Sequence, residues 1–365
     1  MKLIVDSHED LAWNIQTFGR DYTGSAVETR KQEAGTTAPE VNGDTLLGWP
    51  EYQQGRVGVV FATLFAAPAR HQYGDWDTIC YSDSAGAYEL YRSQVDTYLR
   101  LVEEHLDKFR LIGAQDDLNG VLEMWQGGDT RSEGPPVGLV LLMEGAEGLR
   151  SPTELEEWWS NGVRLIGPAW AGNRYCGGTR EPGALTRDGR VLLDAMADYG
   201  FGLDLSHMDE PAALQALDLY EGTVIATHSN ALALLKGSDS NRHLTDQVIR
   251  SVYERDGVIG VVLANEFLQA GWKRSHGRKT VTLQHVVAQI DYLCQMAGDA
   301  QHVGIGTDFD GGFGLQSIPA GLDTIADLRK LDPLLYEKGY SNEDVESIMG
   351  ENWLRILRKV LPESL

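Results

Sequence analysis

Five short segments of this 365-residue chain end on residues that bind cations or move protons. The first is VDSHEDLAWN (5–14), where Leu3-Ile4-Val5 reads as a short buried strand running into Asp6, His8, Glu9 and Asp10. Residues two apart share a face of a strand, so His8 and Asp10 point together and Glu9 points away. The others are Glu144 in LLMEGAEG, His207 in DLSHMD, His228 in ATHSNA and Asp308 in GIGTDFDGG. Taken singly, each has a plain structural explanation: a His after a strand is commonly hydrogen-bonded in place, and EG or DG pairs are common turns. Six such groups at five strand ends go further, because buried charge is costly unless paired or metal-bound. Three imidazoles with two or three carboxylates suit a borderline divalent cation such as zinc, and a shared Glu can bridge two. The remaining histidines (His71, His105, His243, His276, His285, His302) lack this placement and read as structural or exposed.

Eight short apolar runs carry these groups: 3–6, 57–65, 137–143, 163–167, 201–206, 223–228, 257–264 and 303–308. They are continuously apolar instead of alternating, as in parallel strands covered on both faces. Helical patterns lie between them at 96–111, 151–162, 244–257 and 282–298, the second opening on a Ser151/Glu154 capping-box pattern. Eight strands in βα alternation predict a (β/α)₈ TIM barrel of the metal-dependent hydrolase type, one domain over 1–365, with the ligands at the C-terminal strand ends. The segments 15–56 and 66–95 exceed tight βα loops and are expected to be rim insertions after strands one and two.

Composition narrows the function. With 42% hydrophobic residues the chain can bury a real core, and 31 basic against 54 acidic residues give a net charge of −23. Such a field repels phosphate backbones, which argues against a nucleic-acid partner. Three scattered cysteines make neither a disulfide framework nor a Cys-based zinc site. Neither a signal-peptide pattern nor a bilayer-length apolar run is seen, so the expectation is a cytoplasmic protein without a membrane partner.

Taken together and in order, DSHEDL, DTLLGWPEYQQGRVGVVFATLF, EGAEGL, DLSH, THSNA, the RHLTD stretch at Arg242, GTDFDG and GENWLRIL resemble the renal (membrane) dipeptidase family, a branch of the amidohydrolase-like barrels. The resemblance runs almost the whole chain. It implies two divalent ions, zinc by preference, with His8 and Asp10 holding one, His207 and His228 the other, and Glu144 bridging. It further implies hydrolysis of small dipeptides, including those with a C-terminal D-residue, by a metal-bridging hydroxide. Asp308 matches the family's acid/base residue and Arg242 the arginine that grips the substrate carboxylate. A homodimer is implied by the resemblance alone. One position departs: Trp170, in GPAWAGNRYCGG, stands where the family carries a carbonyl-polarising His. An indole N–H donates a hydrogen bond but carries no charge, and its bulk is expected to favour small side chains beside the scissile bond. Two alternatives stay open, a binuclear amidohydrolase acting on another carboxylate-bearing amide such as an N-acyl amino acid, and a metal-bound protein that only binds ligands. Retention of Asp308 beside five ligands weighs against the last.

Overall fold

The computed structural model describes residues 3–127 and 134–364. Eight parallel strands follow one another around a barrel: β1 Ile4–Glu9, β2 Val57–Phe65, β3 Val137–Glu144, β4 Val163–Gly167, β5 Gly202–Asp204, β6 Val224–Ile225, β7 Ile259–Val261 and β8 Val303–Ile305. Hydrogen bonding runs unbroken from β6 back through β1 to β8 and β7. A parallel bridge between Ala226 and Ile259 closes the ring. All eight apolar runs are therefore strands of one barrel, and they are buried because helices cover them outside while their own side chains fill the inside.

Near the axis the packing is tight. Ser7 donates its hydroxyl to the carbonyls of Thr227 (2.6 Å) and Ile305 (2.9 Å), joining β1 to the ends of β6 and β8. At Gly306 a Cβ would stand 1.8 Å from the Thr227 carbonyl oxygen, so only glycine fits.

Outer helices follow the expected periodicity. Leu283–Ala297 buries Val286, Val287, Ile290 and Leu293 at i, i+3/i+4 spacing and stops at Gly298, φ +83°. Asp246–Glu254 is capped by Thr245, whose hydroxyl accepts from Val248 N. Two helical patterns differ from expectation. The 96–111 pattern is the second half of a longer helix, Ser84–Glu104. Its last residues instead form Phe109–Leu111, a strand that pairs beside β3 outside the barrel, where β-prone residues gain ladder bonds. At Ser151 the hydroxyl caps Thr153 N, but Glu154 turns to Arg150 N (2.9 Å) and its guanidinium, so the reciprocal box does not form.

Beyond the strand ends the chain builds a rim. After β1 come the helices Leu11–Phe18, Ala26–Glu33, Ala38–Val41 and Trp49–Gly55. After β2 a small parallel ribbon pairs Ala67–Pro68 with Cys80–Tyr81. A third excursion, not singled out in the sequence, is the antiparallel hairpin Cys176–Gly178/Glu181–Leu185 after β4. Its glycines and proline hide the strand pattern. Among the described residues no helix is long and apolar enough to cross a membrane, and the three cysteines are free.

Candidate metal centre and active site

At the C-terminal mouth of the barrel three imidazoles converge on one carboxylate. Glu144 Oε1 lies 3.0 Å from His207 Nε2 and 3.4 Å from His228 Nε2, while its Oε2 lies 3.6 Å from His8 Nε2. His207 Nε2 and His228 Nε2 are 2.9 Å apart. Asp10 completes a second set with His8 and Glu144, each set having its donor atoms within 4.8 Å of one another. All five side chains are buried. Glu9 points the other way and accepts from Tyr52, as strand alternation predicts.

A second layer fixes which nitrogens face the centre. The Thr227 hydroxyl has one proton and gives it to the acceptor-only carboxylate of Asp204 (2.6 Å). His228 Nδ1, 2.9 Å from that hydroxyl, must then be the donor. Its Nε2 is left with a bare lone pair aimed at His207 and Glu144. His207 Nδ1 meets the Thr179 hydroxyl at 2.9 Å, and the Thr63 hydroxyl donates to Asp10. His8 Nε2 is buried without a hydrogen-bond partner. Converging buried nitrogens and carboxylate oxygens with this outer support are the donor set a divalent cation needs.

Electrostatics agrees. Burial, with Arg242 adding, pushes His207 down to about 4, and burial with His8 holds His228 well below its ordinary value; both imidazoles are neutral and free to coordinate. At His8 burial is outweighed by Glu144, Asp10 and Asp308, which raise it to about 10. Burial and then Glu144 lift Asp10 to about 6. Against the cost of burial, His8 and the hydrogen bonds of His207 and His228 hold Glu144 well below the carboxylate range. The carboxylates therefore favour positive charge at His8, while Arg242 and His8 disfavour it at His207 and His228.

Two positions of the site carry backbone strain. His207 and Asp308 adopt φ +68° and +58°, left-handed values uncommon outside glycine. Asp308 N donates to the His8 carbonyl (3.2 Å), tying β8 to β1. The Asp308 carboxylate stands 3.9 Å from His8 Nε2. Burial first, then Asp10 and Glu144, raise its pKa well above the usual range, although His8 opposes them. A Cβ at Gly311 would lie 2.0 Å from Asp308 Oδ1 and 2.9 Å from Asp10 Oδ2, so glycine there leaves room for both carboxylates.

Arg242 is buried, unlike a surface arginine before a helix. Its guanidinium donates to Ser229 Oγ (3.1 Å) and the His228 carbonyl (2.6 Å) and lies over Phe267. It borders the same cavity of about 670 Å³ as Asp10, Glu144, His207, Asp308 and Trp170. The Trp170 ring is 6.0 Å from His207 and 5.3 Å from Phe65. Every residue singled out in the sequence is thus at or beside one centre. Asp204, Thr227 and Thr179 were missed. Asp204 left a trace, a lone carboxylate inside the apolar run FGLDLS; a threonine beside a histidine left none. His71 sits on the rim with Nε2 2.9 Å from Glu181 and its ring 5.9 Å from Trp170.

Comparison with known proteins bears on this geometry. The chain is 34% identical over 234 residues to the "uncharacterized protein in pqqA 5'region" of Klebsiella pneumoniae, covering 61% of this chain and 82% of that protein. It is 27% identical over 364 residues to dipeptidase tcpJ of Claviceps purpurea, covering 97% and 76%. In fold it is similar to a metallo peptidase from Rhodobacter sphaeroides liganded with a phosphinate mimic of the dipeptide L-Ala-D-Ala (TM-score 0.75, 22% identity, 98% and 99% of the two chains). The dipeptidase AC, of family M19, is equally similar (TM-score 0.75, 23% identity, 99% of each chain). The family model of the membrane dipeptidases matches residues 1–363, and with it the chain belongs to that family, peptidase family M19, as a metal-dependent hydrolase acting on dipeptides.

Proposed function

We propose that the chain hydrolyses small dipeptides, C-terminal D-residues included, at a binuclear zinc site held by His8, Asp10, Glu144, His207 and His228. The observation that carries this reading is the division of Glu144: one oxygen faces His207 and His228 and the other faces His8, as a bridging carboxylate would. Zinc at these ligands would polarise the scissile carbonyl and acidify a water for attack.

The remaining roles fall to the chain's own groups. Asp308, held close to the ligands, takes the proton of the attacking water and returns it to the leaving amine. Arg242, with a fixed guanidinium at the cavity wall, pairs with the substrate's terminal carboxylate. Trp170 offers a neutral indole where the family carries a His, a hydrogen-bond donor that neither carries charge nor exchanges protons. The phosphinate mimic of L-Ala-D-Ala bound by the Rhodobacter sphaeroides relative supports including D-residues.

Turnover of L,L-, L,D- and N-acylated substrates by zinc-loaded protein, together with its metal content, tests the proposal. The expected result is roughly two ions per chain and cleavage of the dipeptides. Cleavage confined to N-acyl amino acids would replace dipeptides with that second class of amide.

A further inference from the structure

The cavity over the metal ligands is divided by residue type. In the closed barrel β2 stands opposite β6. The β6 side carries Arg242 over Phe267, with Glu266 beside them, and Arg180, from the turn of the β4 hairpin, donates to the Tyr73 hydroxyl of the β2 loop (2.9 Å). On the side of β1, β2 and β4 aromatic rings run outward from the centre in an unbroken arc. Trp170, 6.0 Å from the His207 ring, meets Phe65 at 5.3 Å; Phe65 meets Trp13 at 6.4 Å; Trp13 meets Trp76 at 6.3 Å. Phe18 stacks behind Trp76 at 5.7 Å. These spacings are those of edge-to-face and offset rings. Asp77 also borders this side, but its carboxylate is turned onto the Tyr73 amide (3.1 Å).

We infer that this arc of Trp170, Phe65, Trp13 and Trp76 receives the side chain of the dipeptide's N-terminal residue and selects an aromatic ring there. The inference rests on the reading that Arg242 takes the terminal carboxylate, which sends the N-terminal residue to the opposite wall. Trp170 does not crowd the cavity as its bulk alone would suggest. The indole leans on Phe65 and extends the wall, and the cavity of about 670 Å³ exceeds what a peptide of glycine and alanine fills. A small side chain would leave the open faces of Phe65, Trp76 and Trp170, backed by the buried Trp13, facing water, whereas an aromatic one removes that surface and adds ring-to-ring contact.

The test compares kcat and KM of the zinc-loaded full chain for L-Phe-L-Ala and L-Ala-L-Ala. L-Phe-L-Ala should lead in kcat/KM by roughly 10–100-fold, the range hydrophobic pockets achieve, with most of the difference in KM. Trp76→Ala should cut that ratio about tenfold, and Trp76→Phe should restore part of it. A wild-type ratio at or below one overturns the inference whether or not the variants fold, and so does a ratio that Trp76→Ala leaves in place. Failure of the underlying dipeptidase reading looks different, since neither peptide is then cleaved.

Discussion

Beneath the centre, Asp6, Asp204 and Asp310 are buried carboxylates that accept from backbone amides and hydroxyls of neighbouring strands and loops: Asp6 from Thr307 N (2.8 Å), Asp204 from Thr227 N (2.9 Å), Asp310 from Leu46 N (2.9 Å) and Tyr22 (3.0 Å). On the rim, Glu181 of the β4 hairpin joins Arg70 and His71 of the β2 loop at a partly exposed site. The two regions do similar geometric work under opposite solvent conditions. A buried carboxylate has no water to fall back on, so each lost partner is costly. An exposed one trades protein partners for water at little loss. The candidate ligands are attached to the first kind of support and the rim around the cavity mouth to the second. Metal geometry should therefore be rigid to mutation and substrate preference open to it.

The centre itself should respond most. Glu144→Ala removes the carboxylate that faces all three imidazoles, and kcat/KM for dipeptides should fall by about 10⁴ or more, since Lewis-acid activation contributes several kcal/mol. Metal analysis should show a parallel loss of ions. A variant that keeps both its metal and its turnover would mean that the bridge is elsewhere.

Asp308→Asn comes next. It should leave metal content unchanged and lower kcat by about 10²–10⁴, the range for losing a general acid/base. Near-native kcat would move the proton-transfer role to another group.

Support beneath the centre should then register as stability. Asp310 pairs with Arg20 Nη1 at 3.0 Å, both side chains being inaccessible to solvent, and holds the segment after β1 against the end of β8. Asp310→Ala leaves that guanidinium with Glu33 as its remaining carboxylate and leaves Leu46 N and the Tyr22 hydroxyl without their acceptor, and each buried donor left unpaired costs about 1–3 kcal/mol. The melting temperature should drop by roughly 3–8 °C. A drop within error would place Asp310 with the weak exposed contacts instead.

How much of this was legible beforehand follows the same division. His8, Asp10, Glu144, His207, His228 and Asp308 were readable because each closes an apolar strand, and strand ends in a closed barrel meet by topology. Arg242 and Trp170 needed the family resemblance, since nothing local marks an arginine before a helix or an indole in a loop. The third excursion after β4 stayed hidden because CGG and EPGAL read as loop. The tie between Arg70 and Glu181 spans 111 positions, and the aromatic arc gathers Trp13 from the helix after β1, Phe65 from the end of β2, and Trp76 and Trp170 from the loops after β2 and β4. Such contacts depend on how loops fold over one another, which no periodicity records.

The rim tie supplies the smallest effect. Glu181 accepts from Arg70 Nε and Nη2, both at 2.6 Å, and meets His71 at 2.9 Å. Short distances alone would suggest a strong contact. Yet the Arg70 side chain is half exposed, and exposed pairs contribute about 0.2–1 kcal/mol once water and salt compete. Glu181→Gln should accordingly shift the melting temperature by no more than about 2 °C at pH 7. The pH dependence has a defined sign. The hydrogen bond from Arg70, against a smaller opposing effect of burial, lowers the Glu181 pKa below its ordinary value. The folded state therefore binds this proton less readily than the unfolded one, and the tie's stabilisation is complete above the ordinary carboxylate pKa and fades as pH falls through the lowered one. Melts of the two proteins should differ by their full small margin at pH 7 and converge on acidification below about pH 4. If Glu181→Gln destabilises as much as Asp310→Ala, exposure is not what separates the two regions, and the rim is as firmly built as the centre.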